Sequence, residues 1–268
     1  MSMIEPTTSG PARVLVRFLD RFAAVFTFAA ILVVWEAACV VFKIPSFLLP
    51  APSAIFSAGI AVPLDQWLGH VWATVRVALM GYFLAIIVSV PLAVGLALSR
   101  VLSRTLYPIL VVIQSMPIVA VAPILVVTLG SSDLPRVVIT FLITFFPILV
   151  STVTGLLSTP EELIELSRSL RASRTREVVN IRLPYAVPHI ASALKISTTL
   201  AIIGAVVAEF VAAEKGLGFF IAFSTSFFKI PQAFAGLFAL VGLSLGFFRL
   251  VGFLQRRFIP WSLPKSER

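Results

Sequence analysis

The sequence predicts an all-α membrane protein with six transmembrane helices and both termini in the cytoplasm. Three observations lead there. Mean hydropathy is +1.05 over 268 residues, charged residues make up only 12% of the chain, and arginine clusters alternate with apolar runs of spanning length. So little polar surface does not coat a water-soluble globule. The net charge of +9 does not describe a nucleic-acid-binding face either, because the positives sit in short clusters between the apolar runs and read as topology signals. A lone cysteine, Cys39, excludes an internal disulfide and a cysteine-built metal site; inside an apolar run it reads as a small packing residue.

The first element has to be separated from a secretory signal. Arg13, Arg17 and Arg21 followed by an apolar stretch imitate one, and Ala37-Ala38-Cys39 faintly imitates a lipoprotein cleavage site. Glu36 stands where that site wants an aliphatic residue, and the run from Phe22 to Phe42 is about twice a typical signal core, so it is read as a retained span. Further spans follow at roughly 71–98, 105–129, 135–157, 188–212 and 233–254. At 1.5 Å per residue each crosses a hydrocarbon core of roughly 30 Å. Segments before span one, between two and three, between four and five, and after six carry fourteen of the 21 Lys and Arg residues; the alternate segments carry Lys43, Arg136, Lys215 and Lys229. That asymmetry places both ends inside. The chain therefore divides into residues 1–70 (cytoplasmic N-terminus, first span, periplasmic loop), a five-span core at 71–260 containing an inner loop at 158–187, and a tail at 261–268.

Inside the spans, the third contains Pro108, Pro117 and Pro123. Each removes a backbone donor and frees a carbonyl one turn back, so a bend is expected near Gln114 to Met116. Such bends serve packing in many membrane helices; alternatively Gln114, Ser115 and Met116 line a translocation path. Glu209, before the Gly216-Leu217-Gly218 turn, is either a pathway residue or half of an ion pair with a neighbour such as Lys215. Lys195, Arg249 and Arg76 are expected to snorkel or anchor at the interfaces, whereas Glu36 lies deep enough to need protein or water around it.

The inner loop is unusual. "ELSRSLRASRTREVVNIRLP", residues 165–184, holds five arginines in twenty residues. Thr159, Pro160 and Glu162 predict a capped helix start. Leu163, Leu166 and Leu170 then share a face, with Glu165 and Arg168 elsewhere on the helix. A second short helix is expected from Arg174 to Leu183, ended by Pro184. An amphipathic pair of this kind is covered either by lipid headgroups or by a protein partner whose groove accepts the helix.

The loop resembles the cytoplasmic signature of bacterial ABC importer permeases, E-A-A followed by three residues, Gly, nine residues and I-x-L-P. Glu165 takes the Glu position, Leu166 and Ser167 stand at the alanines, Arg171 replaces the usual Gly, and Ile181, Leu183 and Pro184 complete I-x-L-P at the required distance. Gly would permit a left-handed turn that Arg takes less willingly. "TFFPILVSTVTGL" (144–156), "AIIGAVVAEF" (201–210) and "KGLGFFI" (215–221) are similar to segments of the nitrate, sulfonate and taurine class of these permeases.

The resemblance implies a type I importer permease in the bacterial inner membrane, not itself an enzyme. It also implies a second permease copy, two cytoplasmic ATPase subunits that hold ATP and Mg, a periplasmic or lipid-anchored solute-binding protein, and no cofactor on this chain. No G-x-x-x-x-G-K-[ST] phosphate loop occurs in the sequence. The implied solute is a small anion of the sulfonate, nitrate or taurine class, or else a heterocycle such as a thiamine-precursor pyrimidine or riboflavin. A secondary transporter would also accommodate six spans and buried charges but gives no reason for the loop. An intramembrane enzyme would need motifs that His70 and His189 do not supply.

Overall fold

The computed structural model describes residues 10–130 and 132–263, with side chains described for residue 23 and from residue 25 onward. In chain order the helices are α1 (Gly10–Val41), α2 (Pro52–Ile60), α3 (Leu64–Leu98), α4 (Arg100–Gln114), α5 (Ile118–Leu129), α6 (Asp133–Leu157), α7 (Glu161–Ser169), α8 (Arg174–Glu177), α9 (Leu183–Ala212), α10 (Leu217–Ser226) and α11 (Ile230–Phe258). A π-helical segment, Val178–Arg182, joins α8 to α9. Strands are absent among the described residues.

The bundle is organised on α6, which packs along α9 on one side and α3 on the other. Small residues permit this. A Cβ on Gly204 would meet the Thr140 backbone at 2.8 Å, and one on Gly81 would strike the Thr140 side chain from the other helix, so both neighbours approach α6 at the same level. The buried hydroxyls of Thr140, Thr144 and Thr152 donate to the carbonyls of Arg136, Thr140 and Ile148 in their own helix, which satisfies them without water. Ile148, Leu149 and Leu156 of α6 form one core with Ala85, Leu96 and Ala186. Val77, Tyr82, Ala201, Ile202 and Leu217 form a second core toward the other end.

Four helical stretches are long and apolar enough to cross a membrane: Leu64–Leu98, Asp133–Leu157, Arg174–Ala212 and Ile230–Phe258. Together α4 and α5 make a fifth, broken span bent by 93°. The apolar part of α1 described with side chains, Val25–Val41, is shorter than these. Arg13, Arg17 and Arg21 have side chains outside the described residues, as do Lys265 and Arg268.

Several expectations change. The third span is two helices rather than one bent helix, because Pro117 breaks it: the chain leaves α4 through turn bonds at Ser115 and Met116, and Pro117, which has no N–H, becomes the N-cap of α5. Pro108 and Pro123 sit inside their helices. The core boundary drawn at residue 71 falls inside α3. No capping box forms at α7: Pro160 is the N-cap, without a side-chain cap, and Thr159 is buried with its hydroxyl donating to the Leu156 carbonyl. Pro184 does not end a helix. It lies in the first turn of α9, and the wide π turn before it, with Leu183 N–H bonded to the Val178 carbonyl, accommodates the ring and the missing donor.

Among the charged residues, Arg76 pairs with Asp133, which also pairs with Arg136. Glu36 accepts hydrogen bonds from Ser53 N–H at 3.0 Å and Ser53 Oγ at 2.7 Å, tying α1 to the first turn of α2. Lys195 places its ammonium 4.8 Å from the centre of the Phe248 ring on α11. Arg249 is exposed.

Candidate functional site

At one end of the bundle the inner loop forms a shelf beneath α6 and α9. On α7, Ile164 and Ser167 turn inward and are buried, whereas Leu166 is 56% and Leu170 75% exposed. Leu163 is half-buried, and Glu165 and Arg168 are exposed beside the leucines. The helix stops in a tight turn. Ala172 N–H donates to the Ser167 carbonyl at 3.0 Å and Arg171 N–H to the Arg168 carbonyl at 2.9 Å, the paired bonds of a Schellman motif. Arg171 supplies the left-handed residue with φ 53°, so the turn that Gly ordinarily makes is made here by arginine. Beyond it Ser173 caps α8 through Arg176 N–H. Ile181 and Leu183 are half-buried and Pro184 is exposed. Thus Leu163, Leu166 and Leu170 do share one outward face, while Ser167 lies behind it.

Glu177 and Arg182 form an ion pair in this shelf, which the sequence reading did not anticipate; there Arg182 counted only as one of the loop's arginines. Five residues is not a helical pairing distance, so nothing in the sequence pointed to them.

Midway along the bundle, the elbow between α4 and α5 opens against α6 and Leu200 as a cavity of ≈ 280 Å³. Gln114 and Met116 line it, opposite Phe145, Phe146 and Pro147, and among the described residues Gln114 is the one polar side chain in the lining. Ser115 does not join them. Its hydroxyl donates back to the Val111 carbonyl at 2.8 Å.

Glu209 lines neither this cavity nor the outer one described below. It is 1% exposed, and its carboxylate is committed to the N-terminus of α10. Gly218 N–H donates to Glu209 Oε2 at 2.7 Å, Leu217 N–H to Thr74 Oγ1 at 2.8 Å, and Gly216 N–H to His70 Nδ1 at 3.2 Å. Three consecutive donors that a helix start leaves open are thereby met by α3 and α9. Gly216 has φ 132°, and a Cβ there would run into the Glu209 carboxylate, so only glycine closes this clamp. No ion pair joins Lys215 to Glu209 among the described residues, and Arg136 at this end pairs with Asp133 instead. At the same end a wider cavity of ≈ 670 Å³ lies between Trp72, Arg76, Arg136, Glu214 and Lys215.

The described residues thus form a multi-span helical bundle with a cavity at a broken span and, at one end, an amphipathic helix whose leucine face is exposed on a basic loop. Residues 81–260 match the family of binding-protein-dependent transport system inner membrane components, and the chain belongs to that family. It is 34% identical to the riboflavin transport system permease protein RibX of Chloroflexus aurantiacus, over 92% of this chain and 94% of that protein. It is 32% identical to the formylaminopyrimidine transport permease protein ThiX of Halalkalibacterium halodurans, over 87% and 93%, and 27% identical to the taurine transport system permease protein TauC of Escherichia coli, over 88% of each. The fold is also that of a chain of the MetNI methionine ABC transporter in an inward-facing form, with TM-score 0.63 and 22% identity over 75% of this chain and 98% of that one. The chain is thus an ABC importer permease, a multi-pass protein of the inner membrane.

Proposed function

We propose that α7 is the helix by which this permease engages a separate cytoplasmic ATPase, and that two copies of the chain with two ATPase subunits form the importer. The observation that carries this is the outward face of α7, held on a closed turn, where Leu166 and Leu170 are exposed and Leu163 is half-buried among the described residues. Leu163, Leu166 and Leu170 fill the ATPase groove, and Glu165 and Arg168 orient the helix from its rim. ATP and Mg are held by the partner. The loop end and both termini face the cytoplasm, in keeping with the arginine asymmetry. The opposite end, with its wide cavity at Arg76, Arg136 and Lys215, receives solute from a periplasmic or lipid-anchored binding protein.

The solute is read first as a small anion of the sulfonate, nitrate or taurine class, supported by the cations of the outer cavity. A second reading, a heterocycle such as a pyrimidine or a flavin, is favoured by the inner cavity, where Phe145 and Phe146 offer ring faces, Gln114 offers one amide and the lining has no cation. Copurification of the ATPase with the wild type and with Leu166→Asp tests the docking: the wild type should retain the ATPase and the variant should lose it. If lipid covers the loop instead, Leu166→Asp keeps the ATPase. A thermal-shift screen of the cognate binding protein against taurine, nitrate, aminopyrimidines and riboflavin separates the two solute readings.

A further inference from the structure

Positions five apart on an α-helix lie about 140° apart around its axis, which keeps a Glu and an Arg at that spacing from meeting. Glu177 and Arg182 do meet, because the i to i+5 turn at Val178–Arg182 brings the arginine back over the glutamate. Arg182 Nε donates to Glu177 Oε1 at 2.8 Å, and Nη2 stands 2.7 Å from the same oxygen. The Glu177 and Arg182 side chains are 10% and 11% exposed.

The pair touches each element of the shelf. Arg182 Nη1 reaches the Leu156 carbonyl in the last turn of α6 at 3.5 Å. Arg168 of α7 holds its Nε 4.0 Å from Glu177 Oε2. The backbone of the pair itself runs through the π turn into α9. A covered carboxylate and guanidinium therefore stand between α6 and α9, within ion-pair reach of the leucine-faced helix through Arg168, whose side chain is 69% exposed. Stability alone is a poor reason for such a pair, since well-packed apolar side chains commonly replace a buried ion pair at no loss.

We propose that Glu177 and Arg182 are positioning residues that transmit the movement of a docked α7 into α6 and α9, the π turn serving as the joint. This rests on the reading of α7 as the ATPase-docking helix. With the pair intact, displacement of α7 pulls on the end of α6 and the start of α9 together. Without it, α7 holds its partner but moves independently of the spans.

The test uses the full chain with its ATPase in proteoliposomes, carrying Cys39→Ala and the reporter Gln114→Cys at the inner cavity. The rate of modification by a small water-soluble maleimide is measured with and without MgATP and vanadate. The parent should change its labelling rate on nucleotide trapping. The double variant Glu177→Leu/Arg182→Met, which leaves no unpaired buried charge, should retain as much ATPase as the parent and hydrolyse ATP as fast, yet lose most of that change. Arg182→Lys should keep part of it.

A double variant that responds to nucleotide like the parent overturns the proposal. So does one whose loss merely tracks lost ATPase, since the pair is then a structural brace only, and so does a parent reporter indifferent to nucleotide. A parent that retains no ATPase overturns the docking reading first, and this inference with it.

Discussion

Arg171 and Gly216 both occupy left-handed backbone, with opposite consequences for substitution. Arg171, at φ 53°, closes the turn after α7 with a side chain that disfavours that conformation by roughly 1 to 2 kcal/mol. Arg171→Gly is therefore expected to leave ATPase copurification intact and raise the thermal midpoint of the purified complex, whereas Arg171→Pro, whose ring fixes φ near −65°, should lower it and release the ATPase. At Gly216 the logic reverses. With φ 132° and the Glu209 carboxylate in the way of any Cβ, Gly216→Ala should destabilise by about 1 to 3 kcal/mol. Glu209→Ala leaves the Gly218 N–H buried without its acceptor, at a cost of about 1 to 3 kcal/mol. Thermal melts of the two variants, with limited proteolysis at the α9–α10 connection, check both; wild-type melting of Gly216→Ala would contradict the clamp.

Among the helices, α7 and the broken α4–α5 span carry the sharpest expectations. Each leucine of the α7 face is worth on the order of 1.5 to 3 kcal/mol when fully buried, against about 0 to 1 kcal/mol for a solvated rim charge such as Glu165 or Arg168. Leu166→Asp should accordingly detach the ATPase while membrane insertion is unchanged, and Glu165→Ala should weaken the complex far less; pull-down yields rank the two. At the elbow, Gln114→Cys in a Cys39→Ala background should react with an aqueous thiol reagent, and Glu209→Cys should be slow or inert because that position is packed beneath α10. Equal rates at the two sites would show that the α10 clamp opens in the membrane.

For the whole molecule, the most telling feature is how little of some spans the chain covers for itself. Only 6% of the apolar window of α11 is buried, and Ile109, Val112, Val119, Ile124 and Val127 of α4 and α5 are exposed. Lipid suffices for much of this surface, and the second copy of the proposed assembly would cover part of the rest. Native mass measurement of the complex should give two permeases and two ATPases. The permease purified by itself should hydrolyse no ATP and carry no solute. A transport-active permease free of any ATPase would refute the assignment of energy coupling to a partner.

What the sequence determined by itself is the part governed by local period and composition: the membrane class, most of the apolar spans, the leucine face of α7, the disruption near Gln114 to Met116, and the family, which is legible because the loop signature is contiguous. It also located the position where a left-handed residue is needed, since Arg171 stands at the usual Gly. The tertiary structure decided what depends on residues far apart in the chain. Glu209 could not be placed from its own neighbourhood, because its role is set by α10 folding back onto α3 so that His70 and Thr74 complete the clamp. Three prolines in the third span did not reveal which one breaks it: Pro108 and Pro123 sit inside their helices, whereas Pro117 is the N-cap of α5. The Glu177–Arg182 pair was hidden for a related reason: it exists only because Pro184 and the wide turn before it change the helical period at that one place, and a pattern read at 3.6 residues per turn cannot see a contact that a different period creates.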